Sequence, residues 1–159
     1  MKKFGYKCFN FDMTNRYGDQ MMVGEFHSKS CEIKFGSSGF HFCENMEDTF
    51  RYFDAFNEQV SVCFVRGYGK IDEYEDDYNG YYDMYSSENI EIIRKLSRKE
   101  IIEYGLSLIE FRVCRFVSSI KLSNDEIELF KEKFKNSMRV LDAIEYYQIG
   151  NKDIYNKRI

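Results

Sequence analysis

Hydrophobic and polar positions alternate in the first ninety residues and recur at helical spacing thereafter. Lys2 to Phe11 alternates imperfectly, with Phe4, Tyr6 and Cys8 on one face and Lys7, Phe9 and Phe11 on the other, the pattern of a central strand covered on both sides. Gly36-Ser37-Ser38-Gly39 carries turn chemistry, and Phe40-His41-Phe42-Cys43 after it reads as a short extended segment. Asn45 stands at an N-cap position, with Glu47 and Asp48 placed to complement the helix dipole. The helix that follows is expected to bury Met46, Phe50, Phe53 and Phe56 and to end near Asn57. Gln59 to Ile71 alternates Val60, Val62 and Phe64 against Ser61, Cys63 and Val65, predicting a strand with a bulge or bend at Gly67 and Gly69. Between Asp72 and Asn89 no period is visible, so a long exposed loop or hairpin excursion is expected there. Ile90 to Arg94 restores a strand pattern.

The rest predicts helices. Ser97-Arg98-Lys99-Glu100 and Ser123-Asn124-Asp125-Glu126 both have capping-box spacing, in which the serine hydroxyl and the glutamate carboxylate each satisfy an otherwise unpaired backbone donor. Behind the first, Ile102, Leu106, Ile109, Val113, Phe116 and Ile120 form one apolar stripe; behind the second, Ile127, Phe130, Phe134, Met138, Leu141 and Ile144 form another. Two such helices joined by Lys121-Leu122-Ser123 should pack antiparallel. The expected fold is therefore α+β, a single domain over residues 1–159. A small mixed or antiparallel sheet with one short packed helix occupies 1–95, an acidic tyrosine-rich loop 72–89, a helical hairpin 97–148 and a short tail 149–159.

Composition sharpens this picture. The 159 residues are 43% hydrophobic and 18% aromatic, with no Pro and no Trp, which excludes a disordered chain, and no run approaches the roughly 20 apolar residues of a membrane span. Two lysines at the start precede no apolar run of the secretory kind, so a cytoplasmic location is expected. Five cysteines, an odd number without a dense framework, point to free thiols. The formal net charge of −4 argues against a generic nucleic-acid coat, which needs Lys and Arg in excess. That total conceals an asymmetry: residues 1–89 hold 9 Lys/Arg and 16 Asp/Glu, residues 90–159 hold 14 and 11.

The ordered set Tyr6-Lys7-Cys8-Phe9, Gly24, Gly39-Phe40-His41-Phe42-Cys43-Glu44-Asn45, Tyr52, Gly69-Lys70-Ile71 and Ile90-Glu91-Ile92-Ile93-Arg94-Lys95-Leu96 resembles an uncharacterised domain family common in bacteriophages and prophages. The resemblance covers roughly residues 4–105, and its most specific piece is Gly-Phe-His-Phe-Cys-Glu-Asn. Cys8 replaces a glycine frequent in that family. The resemblance implies a phage or mobile-element setting and no particular activity.

Three kinds of chemistry can be placed on these residues. The strand at Tyr6–Phe9 and the Gly-Phe strand entering a helix also resemble ADP-ribosyltransferase-like proteins. That likeness implies NAD as cofactor, His41 on a ribose, Tyr52 stacked on nicotinamide and Glu58 polarising a ribose hydroxyl. Against it, no acidic motif follows the later strand, and a hydrogen-bonded structural histidine accounts for His41 more simply. Cys8, His27, Cys31, His41 and Cys43 are of metal-ligand type, but their spacings form no recognised zinc module, so no metal is expected. The acidic tyrosine segment carries Asp72, Glu73, Tyr74, Glu75, Asp76, Asp77, Tyr78, Tyr81, Tyr82, Asp83 and Tyr85, a set able to imitate nucleic-acid charge spacing or to dock on a basic groove. Arg94, Lys95, Arg98 and Lys99, and Lys131, Lys133, Lys135 and Arg139, read as solvated helix faces and termini, so direct nucleic-acid binding is not expected. The leading expectation is a non-catalytic accessory protein that binds a host protein or nucleoprotein complex and inhibits a CRISPR-type immune nuclease through its acidic, tyrosine-rich surface, with no cofactor. The NAD-using enzyme is the alternative, and the C-terminal helices offer a homodimer surface.

Overall fold

The computed structural model of the chain describes residues 1–34, 36–75 and 83–150. The expected α+β class holds, and the chain divides into two compact units: Met1–Phe53 with Gln59–Leu96, and Asp54–Glu58 with the chain from Ser97 onward.

The first unit is built on five antiparallel strands: β1 (Lys2–Asn10), β2 (Phe26–Ser28), β3 (Phe40–Cys43), β4 (Val60–Glu75) and β5 (Asp83–Lys95). β1 pairs with β3 and β4, and β5 pairs with both β3 and β4, so these four strands close on themselves as a small barrel, with β2 continuing the pairing of β5 beyond β3. Closure leaves few open edges. Its core gathers Phe9, Phe40, Phe42, Cys63, Val65, Tyr85, Ile90 and Ile92 from four strands, with Met21 from the β1–β2 connection.

The expected loop over 72–89 is corrected. β4 does not stop at Gly69; that residue takes φ +88°, and a register shift between Tyr68 and Ile71 absorbs the irregularity as a bulge while the strand runs on to Glu75. β5 starts at Asp83, seven residues before the predicted strand, because Tyr85 is drawn into the core and Ser86 and Ser87 pair with His41 and Phe40. The expected helix after Asn45 is also shorter: α1 (Met46–Thr49) passes into a single 3₁₀ turn, Phe50–Tyr52, and the chain is extended again at Phe53. Met46 and Phe50 are buried as expected, whereas Phe53 is only partly buried.

In the second unit both capping boxes form as the spacing predicts. Each arm of the expected hairpin is two helices, however: α2 (Arg98–Ser107) and α3 (Glu110–Ser119), then α4 (Asn124–Lys133) and α5 (Met138–Ile144), with a π turn at Glu145–Ile149. The first break lets the Phe116 ring lie on Gly105, where a Cβ would stand 2.5 Å from it. At the second, Ser137 accepts from the backbone N–H of Val140 at 3.3 Å and caps a new helix. No described helix is long and apolar enough to cross a membrane.

Candidate functional site

β1 and β3 share a single register pair, Tyr6 with Cys43. Around that narrow junction lies a cavity of about 190 Å³ walled by Tyr6, Lys7 and Cys8 of β1 and Phe40, His41, Phe42 and Cys43 of β3. Thr49, Tyr52 and Phe53 from α1 and the turn after it, Met84 from β5, and Asn15, Arg16, Tyr17 and Lys29 from connecting segments complete it. The Asn15–Tyr17 wall is tied down locally. The Asn15 side-chain oxygen accepts from the backbone N–H groups of Tyr17 (2.8 Å) and Asp19 (3.0 Å), while Asp12 accepts from Thr14 through both N–H and hydroxyl.

Charge in the cavity has one sign. Lys7, Arg16 and Lys29 line it, no Asp or Glu does among the described residues, and none of the three cations forms an ion pair with a described carboxylate. The Lys7 ammonium instead donates to the backbone carbonyl of His41 and lies 5.7 Å from the Phe9 ring, and Lys29 sits 5.0 Å over Phe40. Burial, reinforced by Lys29 and Arg16, pushes the Lys7 pKa down to about 8. Burial and then Lys7 and Lys29 lower His41, whose Nε2 accepts from the Gly36 N–H at 3.0 Å; a neutral ring with its proton on Nδ1 satisfies that bond. Burial pushes the Cys8 and Cys43 thiols up to about 12, so neither is a thiolate at neutral pH. Tyr52 is raised by burial too, and its hydroxyl donates to the Met84 sulfur at 2.7 Å.

The candidate residues read from sequence separate here. His41 and Tyr52 meet in the cavity wall; Glu58 is not part of it and belongs to the helical unit, so the ADP-ribosyltransferase-like triad is not assembled around this cavity. Tyr85, expected on an exposed partner surface, is corrected to a core residue: its ring packs 5.2 Å from Phe42 and its hydroxyl donates to Glu44 at 2.7 Å. Asp72, Glu73 and Tyr74 lie on β4, with Glu73 paired to Lys3 at 3.1 Å and Tyr74 42% exposed. Glu75 and Asp83 face each other in backbone register, and Asp76, Asp77, Tyr78, Tyr81 and Tyr82 lie outside the described residues. Among the described residues no three His, Cys, Asp or Glu side chains gather as a metal site. Sequence reasoning missed Lys7, Arg16 and Lys29. Lys7 carried a signal, a cation alternating with Phe9 and Phe11 on one strand face; the other two lie in connections without periodicity.

No curated protein and no solved structure matches the chain. A family profile described as a "Domain of unknown function (DUF7666)" matches residues 3–104. That span contains every residue of the cavity wall and nearly two thirds of the sequence, and the chain belongs to this family of domains of unknown function.

Proposed function

We propose that the sheet unit is a binding module for a small organic or inorganic anion. The observation that carries this reading is the convergence of Lys7, Arg16 and Lys29, none of them ion-paired among the described residues, on a cavity without a carboxylate in its described walls. Lys7 is partly desolvated here while Arg16 is exposed, and three cations gathered without a described counter-charge are complementary to a ligand that brings the charge with it. Size narrows the class. A volume of about 190 Å³ equals about six waters at roughly 30 Å³ each and lies below the roughly 300–1,000 Å³ of pockets that enclose drug-sized ligands. Phosphate or a carboxylate of a few carbons fits; a mononucleotide would place only its phosphate inside, and NAD could not be enclosed.

Thermal unfolding with phosphate, pyruvate, lactate, AMP or NAD tests the reading. A ligand at 100 times its Kd should add about 2.7 kcal/mol, or about 5–10 °C for a chain of this length. Loss of the shift in Arg16→Ala and Lys29→Ala is expected; a panel in which no anion stabilises the protein would overturn the proposal.

A second reading keeps the partner surface. Beyond Tyr68, β4 runs past its last register pair with β1 and carries Asp72, Glu73 and Tyr74 along its edge. In the phage setting implied by the sequence resemblance, this edge would dock a basic surface of a host protein or nucleoprotein. Asp72→Lys with Glu73→Lys should weaken capture of such a partner and leave anion stabilisation intact; unchanged capture would remove this reading.

A further inference from the structure

Of the cationic side chains in the cavity, Lys7 is the one in the strand wall itself, and its setting suits an amine meant to react as well as to attract. We infer that Lys7 is a nucleophile that forms a reversible imine with a small 2-oxo acid, whose carboxylate is held by Arg16 and Lys29. This rests on the anion-binding reading above and adds a covalent step to it. Lys7 lies in β1 between Tyr6 and Cys8, is half-buried, and lines the cavity with its amine donating across to the His41 carbonyl of β3. A carbonyl acceptor fixes the nitrogen without neutralising it. As a neutral amine, Lys7 can keep one N–H on the His41 oxygen while its lone pair is directed at a bound electrophile.

Burial beside the cavity is what makes the neutral amine accessible. Lys29 and Arg16 add a smaller opposition to its charge, and no described carboxylate pairs with it. With its pKa pushed down to about 8, about a quarter of Lys7 is unprotonated at pH 7.5, against about 0.1% for an ordinary lysine. A lysine desolvated beside other cations is a recognised route to an amine nucleophile. The cations serve the ligand as well, since the Arg16 guanidinium can take a carboxylate in bidentate fashion. The volume of about six waters admits a three- or four-carbon oxo acid.

The step balances simply. The Lys7 nitrogen lone pair attacks the ketone carbon and the carbonyl π pair moves to oxygen, giving a carbinolamine after proton transfer from nitrogen. Loss of that oxygen as water, carrying both former amine hydrogens, leaves the carbon–nitrogen double bond of a neutral imine. Water reverses the sequence and releases ketone and amine. A hydride donor such as cyanoborohydride reduces the protonated imine to a stable secondary amine.

The test uses the full chain, pyruvate and cyanoborohydride at pH 7.5, with the adduct located by peptide mass spectrometry. The gain in neutral fraction, partly offset by the weaker nucleophilicity of a less basic amine, predicts labelling at Lys7 about tenfold faster than at any other lysine. Excess lactate, an anion without a ketone, should suppress it. Acetone, a ketone without an anion, should label Lys7 no faster than the other lysines. Lys7→Arg, which keeps the charge, should abolish the fast adduct. Labelling spread evenly over the lysines overturns the inference, as does a Lys7 adduct that forms equally fast from acetone. If lactate still raises the melting temperature in that case, the imine alone falls and anion binding stands; if no anion stabilises the protein, both fall.

Discussion

A lysine that faces a cavity with no carboxylate among its described walls is a cost to folding, and that cost has a pH signature. Lys7 is pushed down to about 8 in the folded protein, below its unfolded value of 10.5. Between those values the unfolded chain binds more protons, so this residue's contribution to stability rises with pH across the interval and is fully unfavourable below about 8. Lys7→Met should therefore stabilise the protein by about 1–2 kcal/mol at pH 7, less than the full shift implies because the side chain is only half-buried. The difference between variant and wild type should close as pH rises from about 8 toward 10.5. A difference that does not change with pH would mean that Lys7 is not held in a deprotonation-prone environment. Comparing the two proteins cancels the opposite trend of Cys63, raised by burial and costing stability above pH 9, whereas Cys8 and Cys43, raised by burial but lowered by Lys7, sharpen the closing of the difference above pH 9. His41 acts on the acid side: its pKa is lowered, so stability falls as pH drops below 6.5 toward the folded value.

At the scale of elements, local chemistry was legible where it is self-contained. The two capping boxes needed four residues each, and both form with reciprocal bonds: Glu100 and Glu126 accept at 2.8 Å from the N–H groups of Ser97 and Ser123. Glu126 is further fixed by a two-pronged Arg98 pair at 2.8 and 2.7 Å, which holds its carboxyl below the usual range. The strands at Lys2–Asn10, Phe40–Cys43 and from Val60 were visible because period-two patterns do not depend on distant partners. What failed depended on tertiary contact. Ser86-Ser87-Glu88-Asn89 has turn composition and becomes strand because Ser86 and Ser87 pair with His41 and Phe40 on one side and Asp72 and Ile71 on the other, and Asn89 with Ser28 and Tyr68. The helix breaks were marked by Ser107 and by Asn136-Ser137, but continuous apolar stripes outweighed those signals. Gln148 could not be foreseen at all. Buried in the π turn, it donates to the carbonyls of Val117 and Ile120 that end α3 and accepts from the Leu122 N–H at 3.0 Å. Gln148→Ala should cost about 1–3 kcal/mol by leaving that N–H unpaired, whereas Ser123→Ala should cost about 1. Chemical denaturation of both variants checks the order; a larger loss for Ser123→Ala would contradict it.

Over the whole molecule the charge asymmetry takes on a different meaning. The acidic half of the sequence, net −7 over residues 1–89, holds Lys7, Arg16 and Lys29 in one concavity. The candidate site was illegible in the sequence for this reason: its cations are 9 and 13 residues apart, on a strand and two connections, and only closure of the sheet gathers them. A bound anion is attracted by these three cations against a sequence background of the opposite sign. Added salt should screen the outer field over about 8–10 Å and the inner contacts less, so anion affinity should fall only gently with ionic strength. A loss of about tenfold or more between 50 and 200 mM salt would place the binding on the exposed surface instead.

The single register pair between β1 and β3 gives the closed sheet a seam. A ring of hydrogen-bonded strands parts first where it has fewest rungs, so thermal breathing of this unit should begin at Phe40–Cys43 and be read as the fastest amide exchange within the four-stranded ring. A ligand bridging Lys7 of one lip and the His41 wall of the other would act as a rivet. Its presence should register as slowed exchange across that seam, with the β4–β5 ladder on the opposite side unaffected.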